Sequence, residues 1–341
     1  MSLAADKRRN ATIHDVADTA GVAVGTVSRY LNGQTVRQGN RAEIERAIEA
    51  LGFQRSAVAK AMKSDTTDVI GFLVPNFDEF HARLLNQLAR LFRQSGRTML
   101  TYCHDGDRKL LKEAVGFFAN QRVDALVLAG SGDISAEVEM LVDRGVPVTV
   151  YNNDVMGLMV DRVFVENRSA SFRAVEHLIA VGHRRIATVY GLQDESTGIQ
   201  RLEGYCQALK AHGMAVDPEC MHPGAWCEEG GHSAVQKFMS LKEPPTAIFS
   251  ANYQMTIGIL EWMREHSLRV PDDIAIVSFD DVELFRLYDG GITAVMQPID
   301  KIAESIASYV ASRLSNNELP DIRTRTLDCN IILRGSSGYA R

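Results

Sequence analysis

The chain has 341 residues, with 37 Lys and Arg against 43 Asp and Glu for a formal charge of −6, and 45% of it is hydrophobic. That is an ordinary globular composition with material for two or three domains. It excludes a membrane span, because no apolar run approaches the roughly 18–20 residues one needs. It also excludes a disulfide or zinc-ribbon scaffold, because the five cysteines (Cys103, Cys206, Cys220, Cys227, Cys329) are odd in number and include no C-x-x-C pair. The polar, basic stretch Met1–Asn10 has no apolar segment behind it, which predicts a chain without a secretory leader in a reducing cytoplasm.

Charge is unevenly spread. Residues 1–63 carry +4 and the rest carry −10, so a polyanion is expected to meet the head alone. Ile13, Val16, Ala17 and Ala20 fall on one face of a helix, with Thr12 as its N-cap and Asp15 at the reciprocal position. Gly21 breaks the run. A second helix is expected over Val24 to Leu31, with Val27 and Leu31 inward and Asn32-Gly33 as its stop. A third opens at Asn40 with Glu43 at the capping position, buries Ile44, Ala47, Ile48 and Leu51, and ends at Gly52. Two short helices about a Gly-containing turn form a helix-turn-helix, whose second helix meets base edges in the major groove. Spacing alone leaves an unrelated three-helix bundle open as the alternative.

After this head, short β-branched runs alternate with amphipathic helices. Candidate strands are Val69–Val74, Thr98–Tyr102, Ala125–Ala129, Val148–Tyr151, Ile186–Tyr190, Ala247–Ser250, Ile274–Ser278 and Leu327–Leu333. Strands separated by helices imply parallel sheets with right-handed crossovers. The length favours two similar lobes around a cleft, with ligands at the carboxyl ends of the strands.

The run from Thr12 to Asn32, with Asp15-Val-Ala, Ala20-Gly-Val and Thr26-Val-Ser-Arg29, resembles the head of the lactose/galactose-repressor (LacI/GalR) family. Further landmarks follow in order: Val163-Phe-Val-Glu-Asn167, Gly182-His-Arg-Arg-Ile-Ala187, Arg201-Leu-Glu-Gly-Tyr205, Phe279-Asp-Asp281, Gln297-Pro298 and Ile332-Leu-Arg-Gly-Ser336. The resemblance implies an N-terminal all-α helix-turn-helix headpiece over residues 1–55. A hinge helix and linker follow over 56–66. The remainder, 67–341, would be an α/β periplasmic-binding-protein-like effector and dimerisation domain of two doubly wound parallel-sheet lobes. Those lobes would exchange strands near Val160–Val163, Ala294 and Pro320.

By the same resemblance Val24, Gly25 and Arg29 would read bases, and Thr12, Thr26, Ser28 and Asn32 would hold phosphates or brace the helix. Arg suits guanine, whereas Val touches only apolar groups such as the thymine methyl. Ala23 stands where a small hydroxyl residue is usual, so a cap contact is missing. Ser56-Ala-Val-Ala-Lys-Ala-Met62 matches the hinge helix, and Met62 would be the minor-groove wedge. A helix of about seven residues is unstable alone, so its ordering would be coupled to DNA. The effector site would use Asn152, Arg201, Trp226, Asn252 and Asp280. Arg, Asn and Asp supply fixed donors and acceptors for a polyol, and Trp supplies an apolar face. The chain departs from the family pattern at Tyr253, Asn152, Glu79-Phe-His81 and Gly290-Gly291.

No P-loop, dinucleotide fingerprint or nucleophile elbow is present. His177 and His183 are spaced poorly for a metal, and Cys103 and Cys227 read as small buried residues. The expected protein is therefore neither an enzyme nor a cofactor or metal binder. It is a cytoplasmic, ligand-responsive, sequence-specific repressor, with carbohydrate-utilisation genes as its targets and a small polyhydroxylated effector. Its partner is double-stranded operator DNA, bound as a homodimer, because one recognition helix offers too little base contact. The alternative is a solute-binding receptor of the periplasmic-binding-protein type, which should lack the basic head.

Overall fold

A computed structural model of the chain describes residues 11–53, 66–130, 134–155, 157–315 and 321–338. The chain falls into two compact units, Met1–Thr67 and Asp68–Arg341. Three helices build the first: α1 (Ile13–Ala20), α2 (Val24–Leu31) and α3 (Gln38–Leu51). Val16, Ala17, Ala20, Val27, Ile44 and Ala47 are its buried core. The reciprocal cap of α1 forms as the sequence implies: the Thr12 amide donates to Asp15 Oδ2 at 2.7 Å and the Asp15 amide donates to Thr12 Oγ1 at 3.3 Å. Gly21 ends α1 at φ 61°, a left-handed turn suited to a residue without Cβ. The expected start of α3 is wrong by two residues. It begins at Gln38 after Arg37, without a side-chain cap, and Glu43 instead pairs with Arg46. Leu51 is exposed rather than buried.

The second unit opens with β1 (Val69–Val74), α4 (Glu79–Gln94), β2 (Thr98–Cys103), α5 (Arg108–Asn120) and β3 (Ala125–Ala129). It continues through α6 (Ser135–Asp143), β4 (Val148–Tyr151), β5 (Asp161–Val165) and α7 (Asn167–Ala180). Next come β6 (Ile186–Tyr190), α8 (Ser196–Ala211), β7 (Met221–Pro223), α9 (Glu228–Met239) and β8 (Ala247–Ser250). It closes with α10 (Tyr253–Glu265), β9 (Ala275–Phe279), α11 (Leu284–Leu287), β10 (Thr293–Met296), α12 (Ile299–Ser315), β11 (Thr324–Leu327) and β12 (Asn330–Ile332). No helix among the described residues is long and apolar enough to cross a membrane.

The strands form two six-stranded sheets of matching order, β2-β1-β3-β4-β5-β11 and β7-β6-β8-β9-β10-β12. Every pairing is parallel except β10 with β12. Helices cover both faces, so inner strands such as Ala125–Ala129 and Val148–Tyr151 are buried throughout and read as unbroken apolar runs.

The chain passes between lobes three times, displaced from the expected points. Asp161–Val163 and Ala294 still belong to the first and second sheets; the passages come after Val165 and after Met296. Pro320 lies outside the described residues. The third passage splits the expected strand Leu327–Leu333, because Asp328 and Cys329 carry the chain from one sheet to the other. Arg173 Nη2 donates to the Cys329 carbonyl at 2.8 Å and pins that crossing. At the far end of β5, Asp161 is 1% exposed and accepts from Arg313 (2.9 Å) and Arg323 (2.7 Å).

Candidate functional site

On the head, α2 begins after Ala23 with no side-chain cap, as the sequence implies. Gly25, Arg29 and Asn32 are exposed, while Thr26 and Ser28 are half-buried. Val24 is half-buried too and packs against the core of the head, so it divides its surface between packing and any base. Arg29 Nε lies 3.4 Å from the Gly25 carbonyl one turn back. A Cβ at Gly25 would meet nothing within 4 Å, which leaves open space beside Arg29. Thr12 spends its hydroxyl on the α1 cap and Asp15. The hinge segment Ser56–Met62, Met62 included, lies outside the described residues.

In the body a cavity of about 700 Å³ lies at the carboxyl ends of strands from both sheets. All five residues expected there line it. Asn152 follows β4, Arg201 sits on α8, Trp226 lies between β7 and α9, Asn252 caps α10, and Asp280 follows β9. Three of the five, with Ala225 beside Trp226, have unusual backbones. Asn152, Ala225, Trp226 and Asp280 all have φ between 49° and 72°. Left-handed conformations in non-glycine residues cost on the order of 1–3 kcal/mol each and persist where surrounding structure fixes them. Gly191 makes one of these placements feasible: a Cβ there would fall 1.9 Å from the Trp226 ring.

The five residues differ in what they offer a ligand. Arg201 is buried and already engaged: Nε donates to Asn167 Oδ1 at 2.9 Å, Nη1 to the Ala251 carbonyl at 2.6 Å, and its guanidinium lies 3.6 Å from the Phe279 ring centre. Asn252 accepts from the Met255 amide and donates to the Trp226 carbonyl, so it positions that indole. Asp280 receives Gln297 Nε2 at 2.6 Å and lies 3.8 Å from Arg201. Burial pushes its carboxyl above the ordinary range, opposed by Arg201 and Gln297.

The cavity also holds residues that local spacing did not single out as a site. Glu195 Oε2 accepts from both Trp226 Nε1 (2.9 Å) and Asn153 Nδ2 (3.0 Å), and burial raises its carboxyl above the usual value. His81 and His104 are buried in the wall, and Gln297, in the crossing that follows β10, lines the same cavity. His177 and His183, set aside as metal ligands, instead hold Ser337: His177 through the hydroxyl at 2.8 Å, His183 through the carbonyl at 3.3 Å. The Cys103 and Cys227 thiols donate to the carbonyls of Pro75 and Gly224.

Side chains join the lobes on two sides of this cavity. On one, Asn153 Oδ1 accepts from the Thr197 amide (3.0 Å) and hydroxyl (2.7 Å), and the Asp154 amide donates to Ser196 Oγ. On the other, the Glu79 amide donates to the Tyr253 hydroxyl at 3.1 Å, and Glu79 Oε1 accepts from the Glu283 amide. Two of the departures from the family pattern, Glu79 and Tyr253, are thus partners of each other.

Comparison with known proteins gives two matches within the chain. Residues 12–56 match the bacterial regulatory proteins of the lacI family, and residues 175–337 match the periplasmic binding protein-like domain. The chain is 28% identical over 330 residues to the transcriptional repressor CytR of Escherichia coli, covering 96% of each. It is 29% identical over 342 residues to the transcriptional regulator CelR of Thermobifida fusca, covering 97% of this chain and 99% of that one. A structure of a CelR–cellobiose complex matches with a TM-score of 0.72 and 28% identity, over 96% of this chain and all of the other. The lac repressor dimer bound to operator and an anti-inducer matches in fold with a TM-score of 0.85 at 22% identity, over 96% and 99%.

Proposed function

This chain belongs to the LacI family of bacterial regulatory proteins, and from that premise we propose that it is a ligand-responsive repressor of genes for using a small sugar-like compound. It is a DNA-binding transcriptional regulator and not an enzyme, in common with the regulators it matches along nearly its whole length. The observation that carries the finer reading is the convergence of Asn152, Arg201, Trp226, Asn252 and Asp280 on one cavity at the strand ends of both lobes. That placement is where open α/β sheets bind ligands. The CelR–cellobiose complex favours a saccharide among small polar ligands.

In this reading residues 1–55 bind DNA, 56–66 link, and 67–341 bind effector and dimerise. Two heads on a two-fold dimer read a pseudo-palindrome, with Gly25 and Arg29 at base edges, Val24 against a methyl, and Thr26, Ser28 and Asn32 near phosphates. Thr12 braces α1, and Met62 enters the minor groove from the hinge. Effector binding changes operator affinity through lobe position, by a coupling of about 1–3 kcal/mol.

The test is selection of genomic fragments bound by the purified protein. Operator titrations with sugars, polyols and nucleosides chosen from the neighbouring genes follow. A pseudo-palindromic site whose affinity moves roughly 5–150-fold with one of these compounds is the expected result. An operator affinity indifferent to every compound, none of which raises the melting temperature, would refute the effector reading.

A further inference from the structure

The Trp226 indole is held on several sides. The missing Cβ of Gly191 leaves room for the ring. Asn252 Nδ2 donates to the Trp226 carbonyl at 3.2 Å, and the Arg201 guanidinium lies 5.6 Å from the ring centre. Glu195 Oε2 accepts the indole N–H at 2.9 Å. Gly191, Glu195, Arg201 and Asn252 all belong to the second lobe. Among the described residues, Glu195 is the one of these four whose side chain also bonds to the first lobe. The same Oε2 accepts Asn153 Nδ2 at 3.0 Å, and Asn153 follows β4.

One carboxylate oxygen thus carries two donors, one from each lobe. An indole N–H can only donate, so it depends on that acceptor. An ionised acceptor makes such bonds roughly twice as strong as neutral ones. Burial works against the ionised form of Glu195, and the two donors oppose burial. The Asn153 amide is fixed in turn. Its Oδ1 accepts from the Thr197 amide at 3.0 Å and the Thr197 hydroxyl at 2.7 Å. Turning the amide over would set its NH₂ group against the Thr197 N–H and its oxygen against the Glu195 carboxylate. A single orientation therefore satisfies both ends. A tilt of the indole moves its N–H away from Oε2. The carboxylate then follows and weakens its bond to Asn153, or stays and gives up the indole.

We propose that Glu195 is the positioning residue that joins the place of the Trp226 indole to the contact between the lobes, so that an effector resting on the indole alters the Asn153 contact through this carboxylate. The joint needs no ligand; its use by an effector rests on the ligand-responsive reading above.

The experiment is emission and acrylamide quenching of the full-length protein carrying Trp262→Phe, with no effector added. That background leaves Trp226 as the sole tryptophan and keeps a ring stacked on His266. Asn153→Asp retains an acceptor for Thr197 but sets a second carboxylate against Glu195, and like charges so placed repel. It should shift the Trp226 emission and at least double its quenching constant, although the change is made on the other lobe. Adding Glu195→Gln removes the like charge, keeps an oxygen for the indole N–H and offers an amide to the new carboxylate, so both readings should return to their starting values. Glu195→Leu alone should disturb Trp226 as Asn153→Asp does, and the two together should do no more than Glu195→Leu.

A folded Asn153→Asp protein with unchanged Trp226 emission and quenching overturns the proposal. So does a shift that Glu195→Gln fails to reverse, or one that adds in full to that of Glu195→Leu, because the disturbance then reaches the indole by another route. If Asn153→Asp does not fold, Asn153→Ala withdraws the donor from Glu195 and takes its place in the cycle with Glu195→Leu, where full additivity again overturns the joint. If Trp262→Phe does not fold, difference spectra in the wild-type background serve the same cycle. No effector enters the measurement, so a failure here leaves the ligand-responsive reading standing, and a failure of that reading leaves these expected shifts unchanged.

Discussion

Replacing Asp161 with Asn tests the ionic clamp at the start of β5. Asp161 accepts Arg313 Nε and Nη2 at 2.9 Å, Arg323 Nη2 at 2.7 Å and the Arg323 amide at 2.9 Å. It is 1% exposed, whereas the Arg313 and Arg323 side chains are 10% and 27% exposed. An Asn side chain would turn an NH₂ group toward a guanidinium and remove the carboxylate charge that the two arginines share. Breaking a buried pair from one side costs about 3–5 kcal/mol. A body of this size has an unfolding entropy of about 0.6 kcal/mol/K, so the melting temperature should fall by roughly 5–9 °C.

The pH dependence carries a sign. Burial would raise the Asp161 carboxyl, but the two arginines win and hold it below the ordinary value. Its contribution is therefore fully present above the unfolded carboxylate pKa of about 3.9. It is lost as pH falls through the lower folded value. Calorimetric melting of both proteins should show a wide gap at pH 7 that narrows as the pH is lowered from about 4 toward 2. A gap below about one degree at pH 7, or one that does not narrow in acid, would refute the clamp.

Gly191→Ala places a Cβ 1.9 Å from the Trp226 ring; it should displace the indole, shift the tryptophan emission, and weaken effector binding at least tenfold while operator binding without effector stays intact. Asp280 sits at φ 72°, which Asn tolerates and Ala does not. Asp280→Asn and Asp280→Ala should therefore both lose the effector response, with the Ala variant less stable than the Asn variant by a further 1–2 kcal/mol or so in denaturant melts. Arg201→Ala is a poor probe of the ligand alone, since it removes the contacts to Asn167, Ala251 and Phe279 and should cost stability first. Arg29→Ala should weaken the specific operator by about 1–3 kcal/mol and random DNA much less; equal losses in gel-shift titrations would assign Arg29 to phosphate.

What the sequence discloses and what it conceals divide along physical lines. The two short helices of the head are fixed by local signals, a reciprocal cap at Thr12 and a glycine at position 21, and these appear where spacing puts them. The five cavity residues stand beside strand ends and carry recognisable neighbours. Glu195 has no such local mark. Its role exists only because Asn153, 42 positions earlier, and Trp226, 31 positions later, are brought to one carboxylate oxygen. Strand β7 is three residues long, too short for a period to register. Strand β5 opens on Asp161-Arg162, whose charges hide a strand that the clamp makes internal. The segment Leu327–Leu333 looks like one strand because Leu327, Cys329, Ile331 and Leu333 fall at every second position, and no glycine or proline marks the change of lobe at Asp328–Cys329.

The lobes are joined by the protein's own side chains on both flanks of the cavity, and this constrains how an effector can act. A neutral hydrogen bond contributes on the order of 0.5–1.5 kcal/mol net, and one to a charged group about 1.5–3. The Asn153–Thr197 and Asp154–Ser196 contacts on one side, with Glu79–Tyr253 and Glu79–Glu283 on the other, then give closure a few kcal/mol in total. An effector shifts such an equilibrium only by its difference in affinity between the open and closed forms. Trp226 and Asp280 belong to one lobe and Asn152 to the other, so a ligand touching all three gains its full set of contacts only when the lobes are together. A ligand reaching one lobe alone would bind both forms equally and change nothing at the DNA, however tightly it bound. Size and reach across the cavity, rather than affinity, are therefore what separate an effector from a silent ligand.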